Sequence, residues 1–195
     1  MILEENELKS QNIEEFTELL KDYINLKAIC FMEIGSLYGW SLQHFIYYSE
    51  EGSTGIVVDL PVRNFVGSGD RRVIKQEYNY KNVWPEWAKA KKCKLYLIPD
   101  SSQKKSTCKK VAEILNNQQL DFLFIDGDHR YEAIKVDFEL YSPFVKAGGI
   151  IGFHDIGENE EGGGKIFWEE IKRKYNFKEI LKEQNKEKGI GLLFI

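Results

Sequence analysis

The chain is poor in the features that would make its work obvious. It has three cysteines in 195 residues. Cys30, Cys93 and Cys108 are odd in number and match no zinc spacing or disulfide framework, so reduced thiols are the simplest reading. There is no surplus of basic charge: the formal net charge is −4 and the isoelectric point about 5.6. No global field therefore recruits nucleic acid or anionic lipid. The basic run "KAKKCK" (89–94) reads as a solvated helix face. No apolar run approaches the roughly 20 residues that span a bilayer. The opening "MILEENELKSQNIEEF" is acidic and polar, unlike a secretory signal, so a cytoplasmic location is expected. No internal repeat and no low-complexity segment is evident, and both the G-x-G-x-x-G dinucleotide fingerprint and the P-loop are missing.

What is present is a rhythm. Apolar runs recur at 27–35, 54–61, 94–100, 120–126, 148–155 and 189–195, most of them stopped by glycine, aspartate or proline. Between them lie helical patterns at 41–51, from near Pro85, at 102–117, 131–145 and 164–175, with a further one at 12–24. Strands alternating with helices predict a parallel sheet covered on both faces, whose strands need not alternate polar with apolar. The expected fold is α/β: a Rossmann-like, doubly wound, mostly parallel seven-stranded sheet with a C-terminal antiparallel strand. It forms one domain over 1–195, with an N-terminal helical segment (1–26) and a core (27–195). Residues 62–80 read as a loop around Gly67 and Gly69, with mixed signals after.

In open sheets of this kind ligands collect at the carboxyl ends of the strands. The residues past those ends are Gly35 to Ser41, Asp59, Asp100 to Ser102, Asp126 to Tyr131 and the pair His154–Asp155. In "FMEIGSLYGWS" (31–41), Gly35 permits a tight turn. Gly39 allows close approach by a ligand or close helix–strand packing. Asp59 either accepts the hydroxyls of a ribose or serves as the turn residue before Pro61. In "DFLFIDGDHRYEA" (121–133) a buried strand empties into two carboxylates, an imidazole and a guanidinium. Carboxylates converging from adjacent strand tips repel by on the order of 4 kcal/mol at about 4 Å and an effective dielectric of about 20. A hard divalent ion such as Mg²⁺ resolves that repulsion.

The series "EIGSLYGWS", "VVDL", "IPDSS" and "DFLFIDGDHRYEAIKVDFELYSPFVKAGGIIGFHD" resembles the class I S-adenosylmethionine-dependent methyltransferases. More narrowly it is similar to the small "IDGDHxY" group, itself similar to the cation-dependent O-methyltransferases of catechol and caffeoyl-CoA type. The resemblance covers about 28–155. It implies that Glu33, Gly35, Ser36, Gly39 and Ser41 surround the methionine part of S-adenosylmethionine. Asp59 would take the ribose, Asp100 and Ser101 would border the adenine, and Asp126 would lie against the cofactor. It implies a divalent cation on Asp126, His154 and Asp155. His154 departs from the acidic residue of those relatives, and imidazole suits Mn²⁺, Fe²⁺ or Zn²⁺ better than Mg²⁺. Asp128 serves as a further ligand or braces the turn.

His129 is the candidate general base, taking the proton of an acceptor hydroxyl. The other reading makes it a helix-N-terminal residue bonded to Asp155 or Asp128. Arg130 and Tyr131 either lie on the substrate side or simply pack and solvate, the latter being the favoured reading for Arg130, and His44 reads as a packed or surface histidine. The run "EEGGG" (160–164) is a loop or a substrate lid. Trp84, Trp87 and Trp168 are core or pocket wall. The expected function is methylation of a small hydroxylated molecule or sugar on oxygen, by a monomer or homodimer. The rivals are a nucleotide-dependent oxidoreductase and a non-catalytic binding module.

Overall fold

The computed structural model describes residues 18–19, 30–60, 79–157, 162–181 and 188–195. The boundary expected at 26/27 and most of the segments expected at 12–24 and 62–80 lie outside the described residues. Seven strands form one sheet: β1 (Cys30–Ile34), β2 (Thr54–Asp59), β3 (Lys94–Pro99), β4 (Leu120–Ile125), β5 (Val145–His154), β6 (Asn176–Ile180) and β7 (Ile190–Phe194). Their order is β3-β2-β1-β4-β5-β7-β6. The β1–β2, β1–β4, β2–β3 and β4–β5 pairs are parallel, and β7 runs antiparallel to both β5 and β6. The Rossmann-like sheet expected from the sequence is the one observed.

Among the described residues the α-helices are α1 (Trp40–Tyr48), α2 (Trp84–Ala90), α3 (Lys105–Leu115), α4 (Tyr131–Tyr141) and α5 (Gly163–Ile171). They divide the core in two. On one side of the sheet Val111, Leu115, Phe138, Phe167 and Trp168 of α3, α4 and α5 are buried with Met32, Ile56, Leu123 and Ile151. On the other, Leu42, Phe45, Trp84 and Ala88 of α1 and α2 pack on Phe31, Val57, Phe122 and Phe124. Phe45 meets Phe122 and Phe124 edge to face, at centroid separations of 5.2 and 5.3 Å. This two-sided burial is why the central strands are continuously apolar: every residue of β1 is buried. The tryptophans are thereby assigned: Trp84 and Trp168 are core, 0% and 1% exposed, and Trp87 packs partly buried against it.

One strand, β6, has no counterpart among the apolar runs. "NFKEI" lies at the sheet's edge, paired only with β7 and exposed over its first three residues, so it never needed an apolar stretch. Among the described residues no helix is long and apolar enough to cross a membrane.

Register positions the site. Ile34 pairs with both Val58 and Ile125, Asp59 pairs with Pro99, and Ile125 pairs with Phe153. The next residues out, Gly35, Asp126 and His154, with Asp59 and Asp100 beside them, therefore emerge along one rim.

Candidate active site

The glycine loop joins β1 to α1. Gly35 has φ +80, and a Cβ there would lie 2.2 Å from the Asp126 carbonyl oxygen, so only glycine lets the two strand tips meet this closely. Gly39, φ +81, is pressed on Trp84: a Cβ would stand 2.1 Å from the indole Nε1. Gly39 is thereby packed closely against α2. Trp84 Nε1 donates to the Tyr38 carbonyl at 3.2 Å, and Asn79 Nδ2 donates to the same oxygen at 3.1 Å. The loop thus rests on a buried indole that the sequence left unassigned.

Glu33 is fully buried beneath the loop. The Ser36 hydroxyl donates to its Oε2 and the Ser41 hydroxyl to its Oε1. Burial pushes the Glu33 carboxyl up to about 8, against the two hydroxyls that favour the anion, and Asp126 and Asp59 add to the rise. The group holds its proton at neutral pH. Asp59 Oδ2 accepts the backbone N–H groups of Ser36 and Leu37 at 3.2 and 3.0 Å, and its Oδ1 that of Leu60 at 2.8 Å. The acid therefore ties down the loop, an arrangement that spacing alone did not reveal. Leu37 itself sits at φ +45 with its side chain exposed. α1 begins at Gly39 with no side-chain cap and no acidic residue in its first turn. At the β3 tip, Asp100 Oδ1 accepts from Ser101 N at 2.9 Å and Lys104 Nζ at 2.7 Å, and the Lys104 bond holds its carboxyl below the usual range.

The other half of the rim is charged. His154 is buried, its side chain 4% exposed, with Nδ1 3.2 Å from both Asp126 Oδ1 and Asp155 Oδ1. Burial disfavours the imidazolium, but Asp126 and Asp155 outweigh it and raise His154 to about 10. Asp155 is lowered despite its burial, chiefly by His154. It adopts φ +55, a conformation that costs a non-glycine residue on the order of 1 kcal/mol. His129 Nε2 lies 3.3 Å from Asp155 Oδ2 and 4.0 Å from Asp126 Oδ1, with its side chain 40% exposed.

Asp128 is engaged elsewhere. It accepts from Arg130 N at 3.0 Å and from the guanidinium, which lowers its pKa, so it braces the turn. The Tyr131 hydroxyl donates to Glu170, and His44 packs through Nδ1 on the Trp40 carbonyl at 2.9 Å.

Asp126, His154 and Asp155 each present a ligand atom within 4.8 Å of the others, a set that could hold a metal ion. Two carboxylates and one imidazole fit a divalent ion, and the imidazole tilts the choice toward Mn²⁺, Fe²⁺ or Zn²⁺.

Of the "EEGGG" run, 160 and 161 lie outside the described residues. Gly163 and Gly164 are not part of a loop: they open α5. A Cβ on Gly163 would lie 2.2 Å from the His129 carbonyl oxygen, and one on Gly164 2.4 Å from that of Asp155. They let a helix end press directly on both site segments, a function that a bare glycine count does not announce.

A seven-stranded sheet in this order, with a glycine loop after β1 and acids at the next tips, defines a Rossmann-like methyltransferase fold. It matches the solved O-methyltransferase from Bacillus cereus in complex with SAH at TM-score 0.65 and 14% identity, covering 95% of this chain and 82% of that one. It matches the apo TDP-rhamnose 3'-O-methyltransferase of calicheamicin biosynthesis equally, at 0.65 and 14%, covering 100% and 88%. A family model described as a methyltransferase domain matches residues 32–156, and the chain belongs to that family. An uncharacterized protein of Acanthamoeba polyphaga mimivirus is 53% identical over 36 residues, which spans 18% of this chain and 16% of that protein. Family membership sets aside the nucleotide-dependent oxidoreductase.

Proposed function

We propose that the chain is an S-adenosylmethionine-dependent O-methyltransferase acting on a small hydroxylated molecule or sugar. The observation that carries this is the single rim: the glycine loop, Asp59 and Asp100 on one side, and Asp126, His129, His154 and Asp155 on the other. On this reading the start of α1, which has no side-chain cap, receives the cofactor carboxylate, because helix N-terminal amides and the helix dipole favour an anion. Neutral Glu33, fixed between Ser36 and Ser41, shapes the loop without placing a second negative charge beside that carboxylate. Asp59 takes the ribose hydroxyls, since a carboxylate accepts hydrogen bonds at both oxygens. Asp100 and Ser101 flank the adenine.

Asp126, His154 and Asp155 would hold a divalent cation, which when bound lowers the pKa of an acceptor hydroxyl. His129 accepts the acceptor's proton, and Asp155 Oδ2, 3.3 Å from its Nε2, stabilises the imidazolium that results. The rest is alignment of the acceptor oxygen with the sulfonium methyl, which rigid strand tips favour. Titration calorimetry with S-adenosylmethionine and S-adenosylhomocysteine tests the reading. Saturable binding of both is expected; heat from neither would end it.

A further inference from the structure

α4 turns inward the face carrying Ala133, Ile134, Asp137, Phe138 and Tyr141. A helix lying on a sheet buries such a stripe because it is apolar, and Asp137 breaks the pattern. It is 0% exposed, and neither of its carboxyl oxygens makes a hydrogen bond of normal geometry among the described residues. The Ser102 side chain is near enough to favour the anion, yet burial prevails and lifts the group to about 7.

Its surroundings are the undersides of the two loops that form the rim. Oδ2 lies 3.8 Å from where a Cβ of Gly127 would stand, directly beneath the turn that follows Asp126. One helical turn along, the Tyr141 hydroxyl donates to the Ser102 carbonyl at 2.7 Å, so α4 already grips the loop after β3. On α3, Thr107 is likewise 0% exposed, with Oγ1 near the Asp100 carboxyl but making no hydrogen bond of normal geometry among the described residues. Buried polar atoms left over by the protein are ordinarily satisfied by internal water, each molecule making about three hydrogen bonds. A carboxyl maintained at an apolar position, where leucine would bury more easily, calls for a purpose other than stability.

We infer that Asp137 is a positioning residue for the turn after β4: lying beneath Gly127 and beside the Ser102 side chain, it holds Gly127 and Asp128, and so sets where Asp126 and His129 face the site. The consequence for ligand binding rests on the reading of the rim as a cofactor site; the consequence for the turn does not. The test compares Asp137→Leu with Asp137→Asn in the full chain. Asp137→Leu is expected to melt no lower than the parent, to exchange its amide hydrogens over 126–130 faster, and to bind S-adenosylhomocysteine about tenfold more weakly, or about 1.4 kcal/mol. Asp137→Asn, which keeps shape and polarity, is expected to restore exchange and affinity to within about twofold.

Parent-like exchange and affinity in Asp137→Leu would overturn the inference, as would an Asp137→Asn variant equally impaired. Should Asp137→Leu not fold, Asp137→Ala is read by the same two measurements. A crystal structure of Asp137→Leu with the 126–130 turn displaced from its parent position supports the link, and an unmoved turn rejects it. If the parent binds no S-adenosylhomocysteine, the cofactor reading fails, while the exchange comparison still decides the role of Asp137.

Discussion

Around the glycine loop the protein has answered its own polar groups: Glu33 is protonated between two serine hydroxyls, and Asp59 is occupied by three backbone amides. At the tips of β4 and β5, two carboxylates converge on one buried imidazole, with a second imidazole at their edge and a non-glycine residue at φ +55. In the first region the buried acid is neutral and the acid nearer the surface is tied down by backbone contacts. The second keeps a charge cluster in a strained turn. Preorganisation of this kind suits a part that must only receive a ligand. Clustered charge suits a part that must also move a proton, because perturbed groups gather where chemistry is done.

The largest expected effect falls on the charged half. His129→Ala should cut methyl transfer by about 10²–10⁴-fold, the usual span for a general base, while S-adenosylhomocysteine affinity by calorimetry stays within about twofold because His129 does not belong to the loop. A variant of full activity would reduce His129 to a turn residue and weaken the contrast. Next comes the loop. Gly35→Ala places a Cβ 2.2 Å from a backbone oxygen at φ +80. Clash and strain together should cost about 3 kcal/mol or more in urea unfolding, and remove cofactor binding. Gly52→Ala supplies the control, since φ is +87 there but nothing lies within 4 Å. It should cost only about 1 kcal/mol.

The unequal legibility of the two halves has a physical origin. The strands of the core announce themselves because burial on both faces demands unbroken apolar runs, and the rim follows from where those runs stop. Asp126, His154 and Asp155 were readable as a cluster because strand ends in neighbouring register must be near each other. The loop's inner bonds were not readable. That Asp59 would hold Ser36 and Leu37, or that Trp84 from a distant helix would fill the space over Gly39, depends on three-dimensional neighbours with no local signature. Strand β6 escaped because an edge strand needs no apolar run. Asp137 carried a faint signal: it falls three residues after Ile134 and four before Tyr141, a spacing that places an acid on the buried face.

The neutral acid should betray itself through pH. Glu33 binds its proton more tightly folded, at about 8, than at its ordinary value of 4.5. The folded state therefore carries the extra proton between those values, and stability falls as pH rises through them. His154, raised to about 10, contributes stability that is complete below 6.5 and is lost at higher pH. Glu33→Gln removes only the first component. From about pH 5 to about pH 8.5 the parent should lose on the order of 4 kcal/mol more than Glu33→Gln in urea unfolding. Equal slopes would mean that Glu33 is charged in the folded state, and the electrical contrast between the halves would disappear.

The smallest effect is the most discriminating for the charged half. A donor set of two carboxylates and one imidazole should prefer Mn²⁺ to Mg²⁺, since imidazole is a borderline ligand that Mg²⁺ takes reluctantly. With a dissociation constant on the order of 0.1 mM, about 1 mM Mn²⁺ stabilises the folded chain by about 1.4 kcal/mol. For a domain of this size that is about 3–5 °C in melting temperature. Chelator-treated protein should show the shift with Mn²⁺, a smaller one with Mg²⁺, and none with either ion in Asp155→Asn. His154 already stands between the carboxylates as a cation, so an arriving ion must displace a proton. The Mn²⁺ shift should therefore grow as pH rises and shrink as it falls. A shift that ignores both pH and Asp155→Asn would place the ion elsewhere, and would leave the imidazolium as the charge that the two aspartates were built to hold.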